Sequence, residues 1–145
     1  MNIAIKKFDD LSIHELYAIL KLRVDVFVVE QNCPYPEIDN QDQAAMHFFI
    51  KEEDVIKAYL RVYTKSAGCA AIGRVITHVE YRKDGLGRKL MSAAMTYLKA
   101  QSGVKKIYLQ AQEHLSGFYG SFGFELTSEM YLEDDIPHVD MEYQF

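Results

Sequence analysis

Hydrophobic and polar residues alternate with two different periods along the chain, and each period indicates one kind of element. Seven segments have the two-residue alternation or the apolar run that predicts a β-strand: residues 2–8, 47–51, 55–63, 70–79, 105–112, 124–131 and 138–145. Three segments have apolar positions at the spacing of an amphipathic helix: residues 12–29, 86–101 and 116–122. The pattern therefore predicts a chain in which strands and helices are mixed.

The ends of these helices carry local signals. Ser12 and Glu15 have the spacing of a capping box, in which each side chain bonds the other residue's backbone N–H, so the first helix is expected to begin there. Gly103 is placed to stop the second helix. Pro34 and Pro36 restrict the residues before them to extended conformations, so a loop is predicted at residues 30–37.

The order of the elements predicts the fold. We expect one α/β (mixed α+β) domain spanning residues 1–145, with the order βααβββαβαββ and a second helix before the strand at residues 47–51. The strands at residues 70–79 and 105–112 flank a crossover helix and should be parallel, whereas those at 47–51 and 55–63 should be antiparallel. The prediction is a twisted mixed sheet of about seven strands with helices on both faces.

Composition narrows the class of protein. With 145 residues and 49% hydrophobic residues, the chain can bury a core without disulfides or metals. Its two cysteines lack metal-site spacing, and we predict free thiols and no metal. The net charge of -5 argues against nucleic acid as a partner. The absence of a long apolar segment or a leader-like start predicts a cytoplasmic protein without a membrane partner.

The main chemical signal lies where the strand at 70–79 leads into the helix at 86–101. Gly85 and Gly87 allow close approach of a ligand to the backbone, and the first N–H groups of a helix favour an anion. An ordinary glycine turn with solvated cations is the alternative. The phosphate-loop signature is absent, and Leu90 stands where a dinucleotide fingerprint needs its third glycine.

The segment Thr77–Met91 resembles the cofactor motif Q/R-x-x-G-x-G/A of the GNAT N-acetyltransferase superfamily, and the predicted element order is similar to that of the superfamily. A second motif, Phe118–Phe124, resembles the superfamily pattern F-Y-x-x-x-G-F. Further segments resemble the ElaA-type branch: Leu22–Gln31, Cys33–Tyr35, Asp39, Asp42 and Asp134–His138. The resemblance covers nearly the whole chain.

The resemblance implies a role for particular residues. It implies that acetyl-CoA is bound by the backbone of the strand before the loop, by the loop itself and by an amide at position 112, where many relatives have asparagine. These cofactor-binding residues are Val75, Ile76, Thr77, Arg82, Lys83, Asp84, Gly85, Leu86, Gly87, Arg88 and Gln112. It implies that Tyr119 is catalytic and stabilises or protonates the departing thiolate.

The implied reaction is transfer of an acetyl group to a primary amine by direct attack in a ternary complex. An amine with a pKa of about 10 must lose a proton before it attacks, and the sequence does not identify the residue that acts as the base. The candidates are Glu30, Asp39, Asp42, His47, His78 and His138. Of these, Glu30 and His138 are predicted to contact the substrate, because they stand beside predicted loops.

Two other functions stay open at this point. A CoA-binding regulatory module would keep the fold without turnover, although the presence of Tyr119 argues against it. A purely structural or interaction domain would make the glycine loop an accidental turn. The last strands could pair with a second copy or face solvent, so a homodimer is also left open.

Overall fold

The computed structural model describes residues 2–145, and within them the chain forms eight strands and three α-helices. The strands are β1 Ala4–Lys7, β2 Met46–Glu52, β3 Val55–Ser66, β4 Cys69–Thr77, β5 Lys106–Gln112, β6 Glu125–Leu126, β7 Tyr131–Glu133 and β8 Ile136–Gln144. The helices are α1 Ile13–Arg23, α2 Leu86–Lys99 and α3 Ser116–Gly120. No helix in this described part is long and apolar enough to cross a membrane.

All strands belong to one mixed sheet. Its order is β1-β2-β3-β4-β5-β8-β6, with β7 added to β8 as a short hairpin. Strands β4 and β5 are parallel, as predicted for strands joined by a crossover helix, and the other pairs in the described chain are antiparallel. The predicted mixed sheet is confirmed.

The two long helices pack on opposite faces of this sheet. Alternate residues of β2 point to different clusters: Phe48 packs in the core that α2 covers, and Phe49 packs in the core that α1 covers. Helix α2 buries Leu90, Met91 and Ala94 completely, as its apolar spacing predicted. The predicted arrangement of helices on both faces is therefore confirmed.

Helix α1 begins at the predicted capping box and continues beyond Arg23 in a wider, π-helical form. Ser12 accepts a hydrogen bond from the Glu15 N–H, and the Glu15 carboxylate accepts one from the Ser12 N–H. The π-helical segment covers Val24–Glu30, close to the predicted end at residue 29. A separate second α-helix before β2 is not formed; a single 3-10 turn at Asp42–Ala44 stands there instead.

The C-terminal strands differ from the prediction in their bounds. A strand was predicted over residues 124–131, but only Glu125–Leu126 pairs with β8, and a second short strand begins at Tyr131. The chain turns back at Asp134 and Asp135, both with positive φ, which is the geometry of a tight hairpin. The prediction missed this turn because Asp-Asp is a weaker turn signal than a pair containing glycine.

Strand β4 contains a bulge that opens the sheet. Gly73 lies opposite Arg61 and Ile76 opposite Tyr59, so Arg74 and Val75 both face the single residue Leu60. Arg74 has a φ of 54°, which is unusual for a residue other than glycine. Strand β5 pairs with β4 only along Cys69–Ala71, and beyond that point the two strands separate.

Candidate active site

The separation of β4 and β5 opens a cavity of about 970 Å³, which is lined by residues from both faces of the sheet. Both faces of β5 contribute to its lining: Leu109 belongs to the core on the α2 face, and Gln110 and Gln112 alternate with it toward the other face. The cavity lies at the ends of the parallel strands, where α/β sheets usually bind ligands.

The start of α2 forms one wall of this cavity. Gly85 precedes the helix with a φ of 70°, a left-handed conformation that favours glycine. No side chain caps the helix, and its first turn has no acidic residue. Its first N–H groups have no partner within the helix, so this wall can bind an anion.

Gly87 is a glycine that the fold itself does not require. Its φ is not positive, and a Cβ built there would lie 3.5 Å from the Thr77 Oγ1 and 3.9 Å from the Phe118 ring, which are ordinary contacts. Gly87 also lines the cavity. Its lack of a side chain keeps the backbone of the first helical turn accessible from the cavity.

The predicted cations of the loop occupy different positions. Arg88 lines the cavity and lies over the rings of Phe118 and Phe122, with its carbon Cζ 5.3 and 4.9 Å from the ring centroids. Arg82 also lines the cavity and donates two hydrogen bonds to the Glu30 carboxylate, at 2.8 and 2.9 Å. Glu30, predicted to contact substrate, is thus paired with the loop in this structure.

Most of the other predicted cofactor residues lie together around the same cavity. These are Val75, Ile76 and Thr77 after the bulge of β4, Leu86 at the start of α2, and Gln112 at the end of β5. Lys83 and Asp84 are exposed in the turn before α2 and are not among the lining residues.

Tyr119 reaches the cavity from α3, on the same face of the sheet as α2. The side chain is 6% exposed and packs in the α2-face core, with the Phe118 ring against it at an edge-to-face angle of 76°. Burial raises the pKa of Tyr119 to about 12. The phenol therefore stays protonated at neutral pH and can donate a hydrogen bond into the cavity.

The opposite half of the cavity is formed by residues after α1 and by the β7–β8 hairpin. Gln112 donates from its Nε2 to the Gln31 Oε1 at 3.3 Å, and the Cys33 thiol donates to the Asp134 carbonyl at 3.5 Å. These contacts join the loop after α1 to β5 and to the hairpin across the gap. His138 lines this half, directly opposite Gln112 in the register of β5 and β8.

Four of the six candidate bases lie away from the cavity lining. His47 is fully buried, with Nδ1 2.6 Å from the Tyr59 hydroxyl and Nε2 2.9 Å from the Asp42 carbonyl. Burial lowers the pKa of His47 and keeps its ring neutral. His78 accepts a hydrogen bond from the Glu80 N–H, and Asp39 and Asp42 belong to an ion-pair network described next.

A buried ion-pair network, which the sequence did not reveal, supports the bulge of β4. It joins α1, the loop after it, β3 and β4. Its members are Arg23, Glu37, Asp39, Asp42, Arg61 and Arg74. Arg23 is completely buried and lies 2.7 Å from Asp42, and Arg74 at the bulge lies 2.6 Å from Glu37. These contacts fix the backbone conformation of the bulge residue.

The network also perturbs the carboxylates within it. Burial raises the pKa of Asp39, but hydrogen bonds from Arg61 and from the Gln41 N–H outweigh this effect and lower the pKa to about 2. The pKa of Asp42 is lowered in the same way by Arg23 and Arg61, against the effect of burial. In the described chain no group of three or more His, Cys, Asp or Glu side chains is arranged to hold a metal ion.

The fold has counterparts in known proteins. A crystal structure of an acyl-CoA N-acyltransferase from Pseudomonas aeruginosa matches with a TM-score of 0.92 and 40% sequence identity, covering 99% of each chain. An aminoglycoside 6'-N-acetyltransferase solved with coenzyme A matches with a TM-score of 0.75 over 97% of this chain and 96% of that one, but at 12% identity. That second likeness concerns the fold alone.

Sequence comparison identifies the branch. The protein ElaA of Escherichia coli is 42% identical over 136 residues, which cover 91% of this chain and 89% of ElaA, and its crystal structure matches with a TM-score of 0.92. The family model for the acetyltransferase (GNAT) domain matches residues 18–145. The chain therefore belongs to the GNAT acetyltransferase family, in the ElaA-like branch.

Proposed function

We propose that this chain transfers an acetyl group from acetyl-CoA to a primary amine, by direct attack of the amine on the thioester in a ternary complex. The observation that carries the proposal is the uncapped start of α2 at one wall of the cavity between the separated strands β4 and β5. A pyrophosphate would accept hydrogen bonds from the first N–H groups of α2, with Arg82 and Arg88 nearby.

The part of β4 that is separated from β5 is proposed to bind the extended pantetheine arm of acetyl-CoA. After the bulge, Val75, Ile76 and Thr77 line the gap that β5 leaves open. An amide-containing pantetheine chain could pair with free backbone groups there, much as an added strand does. Gln112, on the other side of the gap, has an amide that is already bonded to Gln31. Its contact with the cofactor would require that bond to be exchanged.

Tyr119 would stabilise the departing sulfur. The CoA thiolate carries its negative charge on one atom, and a buried, protonated phenol next to it provides a hydrogen bond in a medium of low polarity. Because the pKa of Tyr119 is about 12, the phenol is a weaker acid than an ordinary thiol at about 8.5. Hydrogen-bond donation is therefore the main expected contribution, and net loss of the proton is not required.

The cofactor site is tested with the variant Gly87→Glu. A side chain fits at this position in the free protein, and replacing a helical glycine removes about 1 kcal/mol of unfavourable propensity. A carboxylate in the first turn adds a favourable dipole interaction. The variant should thus melt at the same or a higher temperature than the parent chain, yet lose all stabilisation by acetyl-CoA in a thermal-shift assay.

Gly103→Glu is the matched control, because it adds the same charge in an exposed loop where a Cβ meets no atom within 4 Å. It should keep the full shift with acetyl-CoA. No shift of the parent chain at saturating acetyl-CoA would exclude the cofactor site. Equal shifts for the parent chain and Gly87→Glu would show that acetyl-CoA does not bind at the start of α2.

Turnover is tested by release of free CoA in the presence of a panel of primary amines. Tyr119→Phe should lower kcat about 100-fold on any acceptor that is found, with little change in acetyl-CoA affinity. Tyr97→Phe removes a hydroxyl from a residue packed against the far part of the same core and should leave kcat unchanged. An unchanged kcat in Tyr119→Phe would contradict the proposed role.

The proposed activity also bears on the domain bounds, the compartment and the oligomeric state of the chain. We propose that residues 1–145 act as one N-acetyltransferase domain, which is supported by a single sheet running from β1 to β8. Action in the cytoplasm and without a metal stays a prediction. A homodimer also stays a prediction, for which β1 and β6 at the two edges of the sheet would supply the free strands.

A further inference from the structure

We propose that the Nε2 of His138 is the base that takes the proton from the acceptor amine. This assignment rests on the proposed acetyl transfer and names a residue for the step that the sequence left open. It would add a catalytic group on the face of the sheet opposite to Tyr119. The structure provides three independent arguments, from the other candidates, from the hydrogen bonds of the ring and from its position.

The other candidate bases are engaged in hydrogen bonds or lie away from the cavity. His47 and His78 use ring nitrogens in hydrogen bonds away from the cavity lining. Asp39 and Asp42 accept hydrogen bonds from buried arginines, which makes them weak bases. Glu30 lines the cavity, but both of its oxygens accept from Arg82.

The hydrogen bond of the His138 ring leaves one ring nitrogen available. Its Nδ1 lies 2.7 Å from the Ile136 carbonyl oxygen. A carbonyl can only accept, so Nδ1 must carry the hydrogen, and in the neutral ring Nε2 then has a free lone pair. The ring is stacked on Tyr131, whose hydroxyl donates to Asp140. The imidazole is thus held in one tautomer and one orientation.

The position of His138 places it in the cavity on the face of the sheet opposite to Tyr119. His138 lines the cavity, and its neighbour Val139 is buried in the core on the α2 face. Successive residues of a strand point to opposite faces, so His138 faces away from that core while Tyr119 belongs to it. An acceptor could therefore enter from the hairpin side as the thiolate leaves toward α3.

The surroundings of His138 suit an amine that arrives as a cation. The charged and titratable groups of this half of the cavity include Tyr131, which stacks on the ring, Glu133 and Asp134 on the hairpin, and Cys33 and Tyr35 on the facing loop. Arg74 also lines the cavity, but its charge is paired with Glu37 and Asp39. Both hairpin carboxylates are exposed. They would attract an ammonium group to this half of the cavity, whereas they would repel an acidic acceptor.

The ammonium loses one proton to the His138 Nε2, the nitrogen forms a bond to the thioester carbonyl carbon, and the carbon–sulfur bond breaks. The nitrogen then loses a second proton, which neutralises the thiolate by way of the Tyr119 hydroxyl. His138 passes the first proton to solvent, so each turnover yields one amide, one thiol and one released proton.

The test compares His138→Asn with the parent chain on two kinds of acceptor. The asparagine amide can still donate to the Ile136 carbonyl, but it cannot act as a base. With alkylamines, which are protonated at pH 7, kcat/KM should fall about 100-fold or more. With their β,β,β-trifluoro analogues, which are mainly neutral at pH 7, the loss should be less than about 5-fold, because no proton has to leave before attack.

His14→Asn is the matched control, since His14 is an exposed histidine on α1 that does not line the cavity. It should keep its activity with both acceptors. Equal losses of His138→Asn on charged and neutral amines would overturn the base assignment, as would full activity. If the parent chain binds acetyl-CoA but releases no CoA with any amine, the proposed function itself fails and the assignment fails with it.

Discussion

The starts of α1 and α2 differ in almost every respect that stabilises a helix end. At α1, Ser12 and Glu15 satisfy each other's backbone groups, and the Glu15 carboxylate also accepts hydrogen bonds from Lys6 and Lys51. At α2 there is no capping side chain and no acidic residue, and Arg88 stands in the first turn. The start of α1 carries its own anion, whereas the start of α2 has cations beside backbone N–H groups that no side chain caps.

This difference indicates what each end is for. A capped end contributes to folding whether or not a ligand is present. An uncapped end that faces a cavity gives up part of that stability, and an anion from solution can supply the missing interaction. Changes at α1 should therefore alter the free energy of unfolding, and changes at α2 should alter cofactor affinity.

The largest effect is expected for Glu15→Ala. Glu15 is 5% exposed, and its loss leaves the Ser12 N–H and the ammonium groups of Lys6 and Lys51 without their shared acceptor. Urea unfolding should show a loss of about 3 kcal/mol, with unchanged affinity for acetyl-CoA. Asp25→Ala, which breaks the exposed pair with Lys21, should cost less than about 0.5 kcal/mol.

The second effect is a dependence of stability on acid pH. Burial raises the pKa of Glu15, but hydrogen bonds from Lys51, the Ser12 N–H and Lys6 lower it from 4.5 to about 2. A depressed pKa stabilises the fold above pH 4.5, and this contribution is lost as the pH falls toward 2. It should amount to about 2 kcal/mol, because Lys6 and Lys51 are partly exposed to solvent.

Unfolding measured between pH 6 and pH 2 checks this value, with Glu15→Gln as the comparison. The variant should lose less stability than the parent chain over the same range. Asp39, whose pKa is also about 2, should maintain part of the acid sensitivity in both proteins. Parallel curves for the parent and the variant would show that Glu15 is not responsible.

A smaller effect is expected for Ser12→Ala, which removes the side-chain acceptor of the Glu15 N–H. Loss of a single N-cap typically costs about 1 kcal/mol. Thermal unfolding should show this loss, and Ser12→Asp, which restores an acceptor, should recover most of it. A loss of acetyl-CoA affinity in Ser12→Ala would break the distinction between the two helix ends.

The smallest effect is expected for Arg88→Gln at the start of α2. Removing one exposed cation beside a bound pyrophosphate should weaken acetyl-CoA binding about 5-fold, and added salt should reduce the difference. The free energy of unfolding should change by less than about 0.5 kcal/mol. Lys89→Gln removes the next cation, which does not line the cavity. The same titration with acetyl-CoA should show a change in affinity of only about 1.5-fold for this variant.

The sequence predicted those features that depend on neighbouring residues. The capping box at Ser12, the amphipathic spacing of α2 and the glycine loop are all local, and the structure confirms the elements they predicted. The crossover between β4 and β5 followed from element order and the handedness rules for parallel strands. The candidate site residues came from motifs along the chain, and the structure brings most of them around one cavity.

The features that were missed depend on contacts between distant residues. Arg74 has no local signal for a positive φ, and its conformation is supported by Glu37 and Asp39 from a loop more than thirty residues earlier. Periodicity does not separate the π-helical turns after Arg23 from an ordinary helix. The break between β6 and β7 likewise depends on pairing with β8 rather than on the sequence of the segment itself.

The bulge of β4 has a consequence for the number of residues in this strand. Because two residues, Arg74 and Val75, stand opposite Leu60, the opening of the sheet amounts to one additional residue in a strand. Deleting Arg74 would leave Val75 alone opposite Leu60 and restore regular pairing with β3. The side chains from Ile72 onward would then alternate between the two faces of the sheet without interruption. A strand shortened in this way should pair more regularly with its neighbour, but the sheet would lose the opening at which the proposed cofactor site lies. The length of β4 is therefore under a constraint that substitution patterns alone would not reveal.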